Sequence, residues 1–284
     1  MTLDPIKLAR DLIDIPSITE DEAELAKYLF ELLERLGLDC RRYPVEGERF
    51  NLVATASSTP SVLFCTHLDT VPPFFGSSAD EEVVRGRGAC DAKGILASMI
   101  VAGEQLLQQG ERRFGYLLVV GEETDSIGAK RANEDIELAS DFIVVGEPTD
   151  SRFVSACKGA VTARVGFEGV AAHSAYPERG DSAISRLARA IIAIEDADWG
   201  ESAELGRATA NVGVVRGGRK PNVVPDEAEL ELMIRTVDSH EVVTRRIRSV
   251  VEPYRGEIVE SYGGNPLFFH VPEGEQGVVV AFGT

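Results

Sequence analysis

Four short motifs hold the residues best suited to chemistry: Thr66-His67-Leu68-Asp69, the run 86–94 around Asp91, Gly121-Glu122-Glu123 and Gly146-Glu147-Pro148. Alternate side chains of an extended chain point the same way, so Asp69 can accept the second ring N–H of His67 and fix its tautomer. Taken alone, that pair is equally a solvent-facing strand end. Asp91 can cap the helix that follows it, and its two oxygens can also bridge two cations. The Gly86-Arg87-Gly88 run lacks the third glycine of a dinucleotide-binding loop. Glu122 and Glu123 are adjacent carboxylates after an apolar run, which is costly unless they are paired or metal-bound. Neighbours on an extended chain face opposite ways, so one can bind metal while the other faces a water as a base; an exposed acidic loop is the alternative. Glu147 again follows an apolar run, in a loop set by Gly146 and Pro148.

One histidine with several carboxylates is an oxygen-rich set suited to Zn²⁺, Co²⁺ or Mn²⁺. Two cations bridged by a carboxylate acidify water and polarise a carbonyl. Competing chemistries are missing from the sequence: there is no Gly-x-Ser-x-Gly elbow, no Walker loop and no paired Cys/His spacing. Cys40, Cys65, Cys90 and Cys157 are dispersed and form no Cys-x-x-Cys pair, which reads as free thiols in a reducing compartment.

The elements that must position these residues are legible as patterns. Asp4-Pro5 marks a helix start, and that helix stops before Pro16. Thr19 and Glu22 form a capping box ahead of a helix with Leu25, Leu29, Leu32, Leu33 and Leu36 on one face, closed by Gly37. Residues 51–56, 62–66, 116–120 and 142–145 are short apolar runs that predict buried strands. Between them, residues 92–109 and 126–133 predict helices. Alternating strands and helices imply an α/β domain, a mostly parallel sheet covered by helices. Motifs at the carboxyl ends of such strands lie where open α/β sheets gather their ligand sites.

After about residue 158 the pattern changes. Strands over 161–167, 210–215, 228–235 and 257–261 enclose helices over 182–195 and 240–251. Strand-helix-strand-strand-helix-strand is the ferredoxin-like order. The expected organisation is a first domain of residues 1–157 and 264–284, with a further buried strand over 278–281, and an inserted α+β domain of residues 158–263.

With 284 residues and 44% apolar content, the chain can bury a substantial core. The net charge is −18, from 47 acids against 29 bases, which argues against non-specific nucleic-acid binding. Part of that excess, as at residues 20–24, sits on solvated helix faces. The first ten residues hold no apolar signal core, and no stretch approaches the roughly 18 apolar residues of a membrane span. The expectation is a cytoplasmic protein with no membrane contact.

The four motifs, in this order, resemble a metallopeptidase and deacylase family that includes N-acetylornithine deacetylase, succinyl-diaminopimelate desuccinylase, aminoacylase and bacterial glutamate carboxypeptidase. The resemblance covers nearly the whole chain, and His67-Leu68-Asp69-Thr70-Val71-Pro72 and the run 86–94 are its most specific parts. It implies two divalent cations, Zn²⁺ foremost, with Co²⁺ or Mn²⁺ as alternatives. His67, Asp91 and Glu147 would hold one; Asp91 would bridge to the second, which Glu123 also binds. Glu122 would be the general base that takes a proton from the bridging water and returns it to the leaving amine. Asp69 would orient His67. The second domain is similar to the family's lid, which also carries a homodimer contact. Within it, His173 would reach a partner's active site and polarise the scissile carbonyl, and Asn222 and Arg235 would grip the substrate, the arginine as a bidentate carboxylate ligand; an ordinary outward strand residue is the alternative for Arg235. His240 and His270 match no motif.

The resemblance also implies a further histidine near the carboxyl terminus for the second cation. The sequence ends at Phe282-Gly283-Thr284, where that returning stretch should begin. The expectation is therefore a chain short of its last tens of residues, binding one metal or none. The implied reaction is hydrolysis of an N-acyl amino acid, N-acetylornithine first, with succinyl-diaminopimelate or a small peptide as alternatives. Glu147, in place of the aspartate typical of aminopeptidase relatives, favours deacylases and carboxypeptidases; Ala92 resembles the amino-acid deacylase branches. An inactive paralogue that binds an acyl amino acid is the reading from a different class.

Overall fold

A computed structural model describes residues 2–136, 140–152 and 154–268. The predicted strand over 278–281 and His270 lie outside the described residues. By their contacts, the described residues fall into two compact units, one ending at Ser155 and the other beginning at Ala156.

In the first unit, Asp4 caps the helix Pro5–Ile13 through the Lys7 N–H at 2.8 Å, with Pro5 at its first position. The second helix runs Ala23–Arg35 and buries Leu25, Leu29, Leu32 and Leu33. Gly37 follows it at a φ of +86°, the left-handed conformation that glycine adopts without steric cost. The capping box is not formed. Glu22 is the N-cap residue but its side chain makes no cap bond; Thr19 and Glu22 point instead at the two acidic loops described below.

The sheet has the order Asp39–Glu46, Arg49–Thr55, Phe114–Val119, Val62–His67, Phe142–Val145. Val62–His67 pairs in parallel with both neighbours, while Arg49–Thr55 runs against the rest. The strand Asp39–Glu46 was not anticipated: it lies at the sheet edge, and its exposure follows no apolar run. The helices Lys93–Gln108 and Ile127–Asp135 complete the unit. Leu29, Leu33, Leu52, Leu96, Ile100 and Leu118 meet in one apolar core.

The second unit is the ferredoxin-like arrangement. Its sheet order is Thr209–Gly217, Glu227–Thr236, Gly159–Glu168, Gly256–Gly264, antiparallel throughout. Helices Ala183–Asp196 and His240–Val251 are capped by Ser182 and Ser239, which accept from Ser185 N and Val242 N. Val161, Val165, Leu230, Leu232, Ile234, Leu187, Val243 and Ile247 form its core.

Candidate metal centre

His67 ends the central strand Val62–His67 and is 2% exposed. Its Nδ1 lies 2.9 Å from the main-chain oxygen of Asp69. A carbonyl oxygen only accepts, so Nδ1 carries a proton and Nε2 is the nitrogen turned toward the carboxylates. Nε2 lies 2.9 Å from Asp91 Oδ1 and 3.9 Å from Glu147 Oε1. The orienting group is thus chiefly the Asp69 carbonyl rather than its carboxylate, whose Oδ1 lies 3.4 Å from Nδ1.

The Asp69 carboxylate has a second task. Its Oδ1 accepts from Glu122 N and its Oδ2 from Glu123 N, both at 3.0 Å, and Oδ2 also accepts from Thr19 Oγ1 at 2.9 Å. The acidic pair is therefore held through its backbone, with both side chains free to face the site. Gly121 precedes it at a φ of +72°, and a Cβ there would lie 2.8 Å from Arg49 Nη2. Only glycine fits that turn without strain.

Glu147 is placed by its neighbour. Gly146 N donates to Cys65 O and Gly146 O accepts from Thr66 Oγ1, each at 2.8 Å, so the loop continues the sheet pairing. A Cβ at Gly146 would meet Met99 Cε at 2.4 Å. Asp91 comes from the loop before the helix Lys93–Gln108. It does not cap the helix Lys93–Gln108, whose N-cap residue is Ala92 with no side-chain bond. The helix start is tied down by Lys93, whose Nζ donates to Ile15 O at 2.6 Å; burial lowers the Lys93 pKa to about 8. Asp91 is thereby left to face His67.

His67, Asp91 and Glu123 each offer a ligand atom, and these atoms all lie within 4.8 Å of one another. The charges show how acidic this corner is. Burial disfavours a charged His67, yet Asp69, Asp91 and Glu147 override it and lift its pKa to about 11. Glu147 is pushed up to about 7, first by burial and then by Asp91, Glu122 and Glu123, against the pull of His67. Loss of water and the nearby Asp91 raise Glu122 and Glu123 as well. Asp69 is held below the usual carboxylate range, despite its burial, by His67 and the two backbone N–H groups. Carboxylates this close repel one another, and a bound divalent cation would relieve that repulsion. The donor set, one imidazole nitrogen and carboxylate oxygens, fits Zn²⁺, Co²⁺ or Mn²⁺.

The substrate residues expected in the second unit fall in two places. His173 and Asn222 meet at a short antiparallel pairing of Ala172–His173 with Val223–Val224, where Ser174 N donates to Asn222 O at 3.0 Å. His173 is exposed, and its Nδ1 accepts from Ala175 N at 3.1 Å. Arg235 lies on the strand Glu227–Thr236, exposed and without an ion-pair partner among the described residues. Residues that the sequence did not single out are Ser17, Arg49 and Asn51, all buried. Ser17 Oγ donates to Leu68 O and Asn51 Oδ1 accepts from Val120 N. The one sequence signal for Ser17 is its place in a short polar segment after Pro16.

Comparison with known proteins adds three findings. The profile described as a peptidase dimerisation domain matches residues 155–256. A "probable carboxypeptidase" of Aspergillus clavatus is 33% identical over 84% of the chain, and a "peptidase M20 domain-containing protein" of Schizosaccharomyces pombe is 32% identical over 98%. The chain spans 65% and 72% of the lengths of these two relatives. Among solved structures, a tripeptidase from Staphylococcus aureus superposes with a TM-score of 0.77 over 97% of this chain and 79% of that one, at 24% identity, a likeness of fold.

Proposed function

Because the chain belongs to the M20 peptidase family, we propose that it is a metal-dependent hydrolase of short peptides and N-acyl amino acids, cleaving the amide next to a carboxyl-terminal residue. The observation that carries this reading is the convergence of His67, Asp91 and Glu123 within 4.8 Å, with Glu122 on the same pinned turn. His67, Asp91 and Glu147 would hold one divalent cation, and Asp91 and Glu123 a second. Such cations supply Lewis-acid polarisation of the scissile carbonyl and lower the pKa of water.

The chain's own groups do the rest. Glu122 takes a proton from the attacking water at a carboxylate oxygen and passes it to the leaving amine nitrogen. Its raised pKa suits a group that must both accept and return a proton. Asp69 keeps His67 and the Glu122–Glu123 backbone in register. Across a homodimer, the partner's His173 would polarise the carbonyl, while Asn222 and Arg235 would hold the substrate, Arg235 gripping its carboxylate. The match to a dimerisation domain supports a homodimer formed through this unit.

The names of the fungal relative and the staphylococcal structure favour peptides as substrates. Glu147 fits deacylases and carboxypeptidases alike, and Ala92 supports the narrower reading, deacetylation of N-acetylornithine. A panel of acetylornithine, succinyl-diaminopimelate, N-acyl amino acids and di- and tripeptides with free or amidated carboxyl ends tests the reading. Metal-dependent cleavage of substrates with a free carboxylate is expected, and amidated ones should resist. Turnover of acetylornithine alone would put the narrower reading first. No cleavage by metal-loaded protein would support the inactive paralogue.

A further inference from the structure

The segment after Pro16 predicts a capping box, yet Glu22 turns into the protein. Its side chain is fully buried and Arg49 is 9% exposed. Glu22 Oε2 accepts from Arg49 Nε and Oε1 from Arg49 Nη2, each at 2.8 Å. Oε1 also accepts from Gly121 N at 3.1 Å. A buried ion pair is seldom better for stability than apolar side chains of the same volume, so its presence here calls for another role.

We propose that the buried Glu22–Arg49 pair is a positioning device for the turn that carries Glu122 and Glu123. The N–H groups of three successive residues end on two carboxylates from distant parts of the chain. Gly121 N goes to Glu22, and Glu122 N and Glu123 N go to Asp69. One anchor would leave the turn free to pivot; two anchors on successive N–H groups, from residues far apart in the chain, fix its direction. Arg49 sets the plane of the Glu22 carboxylate by its two parallel bonds and offsets its charge beside an already acidic corner. The guanidinium also fills the space over Gly121, where a Cβ would lie 2.8 Å from Nη2. Asn51, accepting from Val120 N at 3.2 Å, extends the support one residue upstream.

This inference rests on the reading of Glu123 as a metal ligand and Glu122 as the base. Its rival is a plain structural staple between the Ala23–Arg35 helix and the Arg49–Thr55 strand. The double variant Glu22→Met/Arg49→Met separates them, because it removes both charges while filling the space. Cobalt titration, read by affinity and by the visible absorption of bound Co²⁺, is the main measurement. Residues behind metal ligands typically change affinity by about 10- to 100-fold, and a loss of that order with an altered spectrum is expected. kcat should fall with KM little changed. A folded double variant with native Co²⁺ affinity, spectrum and kcat overturns the proposal. Glu22→Asp keeps a carboxylate beside Arg49 but withdraws it from Gly121, and serves if the double variant does not fold. A smaller loss of affinity is expected there, and native affinity again overturns the proposal. His67→Ala and Glu123→Ala act as controls: if they bind Co²⁺ as the native protein does, the ligand assignment fails rather than the positioning role.

Discussion

The two units bury polar side chains for different ends. In the second unit, among the described residues, Thr236 is the sole buried polar side chain, and it only closes its own turn through Asp238. Each ion pair there keeps at least one partly exposed partner, as where Arg164 pairs with Glu229 at 3.0 Å and Arg216 with Glu231 at 2.5 Å. The first unit buries Ser17, Glu22, Arg49, Asn51, Thr66, His67, Asp69, Thr70, Lys93 and Glu104. The bonds of Thr66, Glu22 and Asp69 end on the loops that carry Glu147, Glu122 and Glu123, while Glu104 sits apart from them and accepts from Leu3 N. Buried polar groups cost desolvation and tolerate no loss of partner. One unit is thus built to pack, and the other accepts that cost to hold a few side chains in place.

The sharpest test of this contrast is Glu122→Gln. Removing a general base lowers turnover by about 10²- to 10⁴-fold, and metal content measured by elemental analysis should stay unchanged. Unaltered turnover would remove Glu122 from the mechanism. Next in size is Glu22→Ala, which strands the buried Arg49 charge. A loss of about 3–5 kcal/mol is expected in denaturant unfolding. A loss of about 1 kcal/mol or less, as for an exposed pair, would make the two regions alike.

In the second unit, Leu230→Ala should cost about 2–5 kcal/mol of stability through the cavity it leaves, with divalent-cation affinity unchanged by calorimetry. A parallel loss of cation binding would break the contrast. The smallest effects belong to the helix caps, one in each unit. Asp4→Ala and Ser239→Ala should each cost about 1 kcal/mol, with no change in cation affinity. A cation effect from either would mean that the site depends on general stability rather than on its own anchors.

These two regions also differ in how far the sequence reveals them. In Glu227–Thr236, Ala228, Leu230, Leu232 and Ile234 are buried while alternate residues face out. Each residue's fate there is decided by its immediate neighbours, so pattern alone predicts the strand. The residue types of the metal centre are equally legible, since His67, Asp91, Glu122, Glu123 and Glu147 stand in short motifs after apolar runs. Their supports are not. Thr19 and Glu22 have the spacing of a capping box, but the partner of Glu22 is Gly121, 99 residues away. A local signal was outcompeted by a buried acceptor position that only the fold creates. Asp91 followed the same logic, resembling a cap and facing a histidine. The edge strand Asp39–Glu46 stayed hidden because its charged residues face solvent and its alternation slips between Arg41 and Arg42.

All of this depends on the proposal that the cluster of His67, Asp91, Glu123 and Glu147 binds divalent cations. The direct measurement is metal content after loading with Zn²⁺ and exhaustive dialysis, comparing the native protein with His67→Ala and Asp91→Asn. The native protein should retain zinc and both variants should lose it while remaining folded by circular dichroism. Zinc retained equally by His67→Ala, or lost by the native protein, would contradict the account.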